Sequence, residues 1–438
     1  MLILIRNGYV IDPASDREGL FDILIDKDRI DRVEAVINEE DIRQEAGKRG
    51  TEYVSIDAAG LYVMPGFIDL HVHLREPGFE YKETIETGAM AAAAGGFTSI
   101  CPMPNTKPAI DSEEMVCLVK EKAKKAAVHI LPVGAVTKAQ AGAVLVPVDR
   151  LKAAGAVALS EDGKSVMDTG LYAEAMRLAA ENEIPVFAHC EDKYLVGKGV
   201  INAGKKAEEL GLSVIGNAVE DIIAARDILL AKETGAQLHL CHCSTRDSVR
   251  MIRLAKEEGL KVTGEVCPHH FTLADADIPG DDADYKMNPP LRSREDVKAL
   301  REALHSDIID VISTDHAPHS AEEKARSFRE APFGIVGSET AFALAYTELV
   351  KTGLLTMRQL VEKMSVNPAG ILHYDRGCIG AGRIADLVIA DPGAEYAIDR
   401  NTFYSKGKNT PFHGRRVSGR VLYTLVSGKI VYEYGKNL

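Results

Sequence analysis

The chain has 438 residues, 46% hydrophobic and 27% charged, which is ample apolar material for a large folded core and excludes bulk disorder. Sixty-five acids against 52 bases leave a formal charge of −13, which argues against a nucleic-acid binder but not against one local basic pocket for an anion. No run approaches the ~18 apolar residues of a membrane helix, and the opening stretch from Met1 to Gly8 turns polar too early for a signal peptide.

In chain order, residues 3–12, 21–26, 30–33 and 53–57 are β-rich and punctuated by Asn-Gly and Asp-Lys-Asp turns. From about residue 62 to 370 apolar strands alternate with helical stretches. Eight strands are expected at 66–74, 98–103, 129–136, 156–159, 185–189, 237–243, 261–266 and 309–314. Helices are expected between them, among them 83–94, 111–126, 172–182, 219–233 and 246–258. Asp111 with Glu114 reads as an acidic variant of a capping box, and Thr356 with Gln359 fits that motif directly. The last sixty residues return to β: 385–390, then 419–426 and 429–434 around a Val-Ser-Gly-Lys hairpin signal. The fold class is therefore α/β, a (β/α)₈ TIM-type barrel over 62–372. A small β-sandwich domain is expected from both termini, 1–61 and 373–438. A doubly wound open sheet is the alternative, weakened because no GxGxxG opens a helix. Seven cysteines without a CxxC point to a reduced, cytoplasmic protein with packing thiols.

In a barrel the active residues sit at the C-terminal strand ends. The first strand ends in His71 and His73, which a period of two places on one face. The fourth ends in Glu161-Asp162-Gly163, the fifth in His189, the sixth in His242, and the eighth in Asp315-His316 with His319 following. Four histidines and two aspartates thus converge on one mouth, a nitrogen and oxygen donor set suited to a borderline divalent ion such as Zn²⁺ and to hydrolysis by activated water. Cys241 and Cys243 alternate with His242 and are expected to face away from it, with His239 on that same opposite face. His269 and His270 read equally as a pocket pair or as structural residues, and His129 lies at the wrong end of its strand.

The run His71-Val-His73-Leu-Arg75-Glu-Pro-Gly78 with Tyr81-Lys-Glu83 resembles the dihydroorotase signature of the cyclic amidohydrolases. So do Met103-Pro-Asn105-Thr, Met287-Asn288-Pro-Pro-Leu, Thr314-Asp315-His316-Ala-Pro-His319 and Ala331-Pro-Phe333-Gly334. The resemblance spans essentially the whole chain and is strongest to the longer class I enzymes. It implies reversible cyclisation of N-carbamoyl-L-aspartate to L-dihydroorotate with loss of water, in pyrimidine biosynthesis. It implies His71, His73, His189, His242 and Asp315 as ligands of one or two Zn²⁺ ions, and Asp162 as the bridging carboxylate. Asp315 would also be the catalytic proton carrier. Arg75, Asn105, Asn288 and His319 match substrate-binding positions, with Phe333 and Gly334 offering backbone contacts. A homodimer or an association with aspartate transcarbamoylase would fit the family; no nucleic acid or membrane partner is expected.

One departure stands out: the family's Asp-Asp-Gly is here Glu161-Asp162-Gly163, so a slip of one position would make Glu161 the bridge. Two other readings compete. A hydantoinase, dihydropyrimidinase or allantoinase shares the barrel but usually bridges its metals with a carboxylated lysine, and here the fourth strand end carries acids and no lysine until Lys164. An inactive scaffold for a partner enzyme would be expected to lack ligands, and none is missing.

Overall fold

The computed structural model describes residues 1–436; the last two residues of the terminal 373–438 segment lie outside the described residues. Eight parallel strands build the central barrel. Three form one sheet, Phe67–Val72, Phe97–Pro102 and His129–Ile130. The third continues, after a two-residue break, as Val133–Ala135, which opens a six-stranded sheet through Ala158–Ser160, Val186–Ala188, Leu238–Leu240, Val262–Val266 and Val311–Ile312. The ring closes where Val72 pairs in parallel with His316 and the His73 amide donates to the His316 carbonyl at 2.8 Å. All eight expected strands are present. The regular pairing of several is shorter than their apolar runs, because the chain leaves the ladder where the polar strand ends begin.

The strands read as continuous apolar runs because they are buried on both faces. Cys101, Val133, Ala158, Phe187, Cys241 and Val311, each from a different strand or its end, pack into one cluster inside the ring. A larger apolar layer joins strands to the surrounding helices, with Phe67 stacked on Phe342 at 5.4 Å. Thr356 and Gln359 form the expected capping box. The other expected cap moves by one residue: Ser112, not Asp111, accepts from the Met115 amide at the start of Glu113–Lys122. Asp111 instead accepts from the Ala139 amide, clasping the loop after the third strand.

Both termini meet in one eight-stranded sheet, in which Leu2–Asp12 pairs with Arg17–Asp26, Tyr53–Asp57 and Tyr62–Pro65. Leu387–Ala397 then joins Tyr62–Pro65 to Arg416–Val426 and Lys429–Glu433. Its core is rich in isoleucine, including Ile3, Ile23, Ile25 and Ile389. The last hairpin turns through Ser427 and Gly428, both with positive φ. A side chain at Gly428 would press on the Lys27 carbonyl at 1.9 Å, so this turn docks the C-terminal strands against the N-terminal ones. His129 starts its strand at the closed end and bonds Asp386 of the terminal segment at 3.1 Å, away from the barrel mouth.

Candidate metal centre

Six side chains converge at the C-terminal ends of the strands, all nearly or fully buried: His71, His73, Asp162, His189, His242 and Asp315. Asp162 lies between two imidazole pairs. Its Oδ1 is 3.2 Å from His71 Nε2, 3.5 Å from His189 Nδ1 and 3.7 Å from His242 Nε2, while Oδ2 is 3.5 Å from His73 Nε2. Donor atoms of His71, His73 and Asp162 all lie within 4.8 Å of one another, and so do those of Asp162, His189 and His242. Asp315 joins the first group, 3.0 Å from His73 and 3.6 Å from His71.

The donor set fits a divalent metal. His71 commits Nδ1 to Glu265 at 2.9 Å, so its Nε2 carries the lone pair and faces the two aspartates. That buried Nε2 makes no hydrogen bond despite carboxylate oxygens close by. A cation among these atoms is the partner that would satisfy it. Burial pushes the Asp162 carboxyl up, but the surrounding His71, His189 and His242 side chains outweigh it and hold the group well below its usual range. Asp315 is likewise pushed up by burial and held down by the His73 hydrogen bond and the neighbouring imidazoles, so both acids are anionic donors.

Glu161 is not part of the cluster. Its Oε2 accepts from the Val136 and Thr137 amides at 3.1 and 3.0 Å, and its Oε1 from the Thr137 hydroxyl. Successive residues diverge here because the strand stops at Ser160: Glu161 caps the preceding loop while Asp162 turns into the mouth. Lys164 points to the Gln140 carbonyl at 3.0 Å, outside both donor groups.

The expected alternation at the sixth strand does not hold. The ladder ends at Leu240, and His242 enters the mouth through a left-handed backbone with φ +33°. Cys241 therefore points inward, with Sγ grouped with His71 and Glu265, rather than away from the site; Cys243 alone packs among the outer apolar residues. Arg75 also reaches the site by another route than strand alternation. The first strand ends at Val72, and Arg75 turns in with φ +62°.

A cavity of about 170 Å³ opens over the donors, lined also by Arg75, Asn105, Asn288, Phe333 and Gly334. That is space for a small ring or a short dicarboxylate rather than a large ligand. Asn105 already bridges two donors, its Oδ1 accepting from His73 Nδ1 at 3.0 Å and its Nδ2 donating to Asp162 at 3.1 Å. Asn288 donates to Glu191 at the rim. Gly334 spends its N–H on the Lys286 carbonyl, and its carbonyl accepts from Lys324 and Asn409. What it brings is close approach: with φ +127°, a Cβ there would meet Ala317 at 2.7 Å. His319 stands behind this wall, donating from Nε2 to the Phe333 carbonyl at 2.7 Å, and does not line the cavity.

Three supporting residues were given no role by the sequence reading, although Glu83 stands in one of its motifs. Glu265 accepts from His71, from His239 Nε2 at 3.1 Å and from the His242 amide at 3.2 Å. A lone acid inside the apolar strand Val262–Val266 was the available signal, since a buried carboxylate needs partners. Asp69 ties the first strand to the eighth through the His71 and Thr314 amides and the Thr314 hydroxyl. Glu83 holds the segment after Tyr404 through Ser405 and Lys406. His269 and His270 are buried together; His270 donates to the Pro289 carbonyl at 2.9 Å and so braces the loop that carries Asn288.

Strand ends of a parallel barrel that feed histidines and aspartates into one mouth define a metal-dependent cyclic amidohydrolase. Solved structures agree: the L-hydantoinase (dihydropyrimidinase) from Arthrobacter aurescens superposes with a TM-score of 0.86 over 100% of this chain and 97% of its own, at 27% identity. The D-hydantoinase (dihydropyrimidinase) from a Thermus species gives 0.84 over 100% and 96%, at 28% identity. Sequence narrows the class further. The dihydroorotase of Caldanaerobacter subterraneus is 48% identical over 437 residues, covering 100% of this chain and 98% of its own. That of Bacillus cytotoxicus is 51% identical over 379 residues, 86% of this chain and 89% of its own. The dihydro-orotase-like family model matches residues 60–248. The chain belongs to the dihydroorotase family.

Proposed function

We propose that the chain interconverts N-carbamoyl-L-aspartate and L-dihydroorotate, the dihydroorotase reaction of pyrimidine biosynthesis. The observation that carries this is Asp162 set between two imidazole pairs, with Arg75 in the same cavity. A carboxylate bridge with an arginine beside it suits a substrate that carries its own carboxylate, whereas Lys164 is turned away. His71, His73, Asp162, His189, His242 and Asp315 would hold one or two divalent ions, for which the donors favour Zn²⁺. Such an ion supplies Lewis acidity toward the ring carbonyl and lowers the pKa of water toward 7.

The protein's own groups do the rest. Asp315, anionic and 3.0 Å from His73, takes the proton released when water adds to the ring carbonyl and returns it to the departing ring nitrogen. In the synthetic direction it returns that proton to the oxygen expelled from the side-chain carboxyl. The Arg75 fork receives the substrate carboxylate. Asn105 orients His73 and Asp162, and Asn288 with the Phe333 wall bounds the ring. Glu265 keeps His71 in the tautomer whose Nε2 is free to bind.

Turnover of dihydroorotate, hydantoin and allantoin before and after chelation tests the proposal. Metal-dependent activity on dihydroorotate well above the other two is expected; preference for hydantoin or allantoin would overturn it. All seven cysteines are unpaired, which supports a reducing, cytoplasmic setting. A homodimer or a complex with aspartate transcarbamoylase belongs to the same proposal and is read by sedimentation alone and with that enzyme.

A further inference from the structure

Arg75 can recognise a carboxylate only if its fork is unspent, and a histidine stands within reach of it. Arg75 Nε donates to the Pro318 carbonyl at 3.2 Å, and Nη2 lies 3.3 Å from His319 Nε2. If that nitrogen were an acceptor, it would take one arm of the fork.

On the far side of the ring, Lys82 Nζ lies 3.2 Å from His319 Nδ1 and 2.9 Å from Glu323 Oε1. An ammonium only donates, so Nδ1 must be the acceptor and the ring proton sits on Nε2. The 2.7 Å contact from Nε2 to the Phe333 carbonyl agrees, since a carbonyl only accepts. Nε2 is therefore a donor facing a donor, and Arg75 gains no hydrogen bond there. Lys82 is held in place by Glu323, which also accepts from the Ser320 amide and the Tyr81 hydroxyl. We propose that Lys82 is a positioning residue for substrate recognition: by fixing the Nε2–H tautomer of His319 it withholds an acceptor from Arg75 and keeps the guanidinium fork open for the substrate carboxylate.

The ring stays neutral in this arrangement. Burial and the cations of Arg75, Lys82 and Lys324 push His319 down to about 2, against the nearby Glu323 carboxylate. A neutral ring has two tautomers to choose between: the Phe333 carbonyl favours the Nε2–H form, and Lys82 at Nδ1 secures it against the Glu323 carboxylate, which on that side would favour Nδ1–H.

The inference rests on the proposed dihydroorotase reading for its kinetic arm and on spectroscopy for the other. In the zinc-loaded full chain with labelled histidines, ring-nitrogen NMR of His319 is assigned by loss of its signals in His319→Asn. Wild type should show the Nε2–H form, and Lys82→Met should show the Nδ1–H form or a mixture. With dihydroorotate, Lys82→Met should raise KM about tenfold, the scale of one lost charge-assisted contact, with kcat changed less than about twofold. Lys82→Arg and Lys82→Gln keep an N–H donor and should keep the wild-type tautomer and a KM within about threefold of wild type. An unchanged tautomer in Lys82→Met, an unchanged KM, or a KM rise in Lys82→Gln equal to that in Lys82→Met would each overturn the proposal. Where Lys82→Met does not fold, Lys82→Gln against Lys82→Ala carries the same comparison. A wild-type enzyme inactive on dihydroorotate would defeat the functional reading and leave the tautomer measurement to decide the role of Lys82.

Discussion

Glu265 offers the sharpest test of how the centre is held. It is fully buried and receives three donors: His71 Nδ1 at 2.9 Å, His239 Nε2 at 3.1 Å and the His242 amide at 3.2 Å. In Glu265→Gln the amide oxygen can face His71 and the His242 amide, while its NH₂ faces His239. His239 can accept this by switching tautomer, because its Nδ1 partner is the Thr263 hydroxyl at 2.9 Å, which donates or accepts equally well. The amide variant therefore loses charge but strands no donor. Hydrogen bonds to charged groups contribute about 1.5–3 kcal/mol and neutral ones about 0.5–1.5, so roughly 1–1.5 kcal/mol is lost at His71. That corresponds to about tenfold in metal affinity, the lower end of the 10–100-fold typical for the residue behind a ligating histidine. Glu265→Ala leaves the His71, His239 and His242-amide donors unmatched at about 1–3 kcal/mol each, and frees His71 to bind in either tautomer. It should weaken metal by roughly 100-fold and destabilise the fold measurably. The assay is competition of the folded variants against a chromophoric chelator, with urea denaturation in parallel. If both variants bind metal within about threefold of wild type, or if Gln and Ala cost the same, Glu265 does not set the His71 tautomer.

Asp162→Ala should lower metal content and activity together, whereas Lys164→Ala should change neither; Glu161→Ala should keep its metal but lose stability, because it orphans the Val136 and Thr137 amides, and metal analysis with thermal melts separates the three. Asp315→Asn should lose ~10²–10⁴-fold in kcat while retaining the far-UV spectrum of the folded chain; near-normal kcat would remove it as the proton carrier. Arg75→Ala should cost roughly 2–4 kcal/mol in kcat/KM for dihydroorotate, and Arg75→Lys should recover little of it because the fork is lost. Glu339 is pushed up by burial to about 8 from 4.5, against the Tyr404 and Ser405 amides that donate to it. The folded chain thus keeps a proton that the unfolded chain releases, so stability should fall as pH rises from about 4.5 to about 8. Glu339→Gln should flatten that slope in urea titrations; an identical slope in the variant would reject the assignment.

The amino-acid sequence determined the barrel and which polar side chains gather at its mouth, because both rest on local periodicity and on residue types at strand ends. Apolar runs spaced by helices require parallel strands buried on both faces, and His71, His73, Asp162, His189, His242 and Asp315 each close such a run. It also showed that both termini are β, as the isoleucine-rich sheet bears out. Facing, by contrast, was decided by tertiary structure wherever a ladder ended early. Period two holds only while a strand is paired, and Arg75, His242 and Asp315 all enter the mouth with positive φ beyond that point. For the same reason Cys241 turned inward against the expected alternation, and Glu161 and Asp162 parted into a loop cap and a donor. Contacts between distant segments were beyond any local pattern: Glu265 beneath His71 is 194 residues away, and Lys82 against His319 is 237. Hydrogen-bond partners choose a histidine's tautomer, and those partners exist only once the ring of strands has closed.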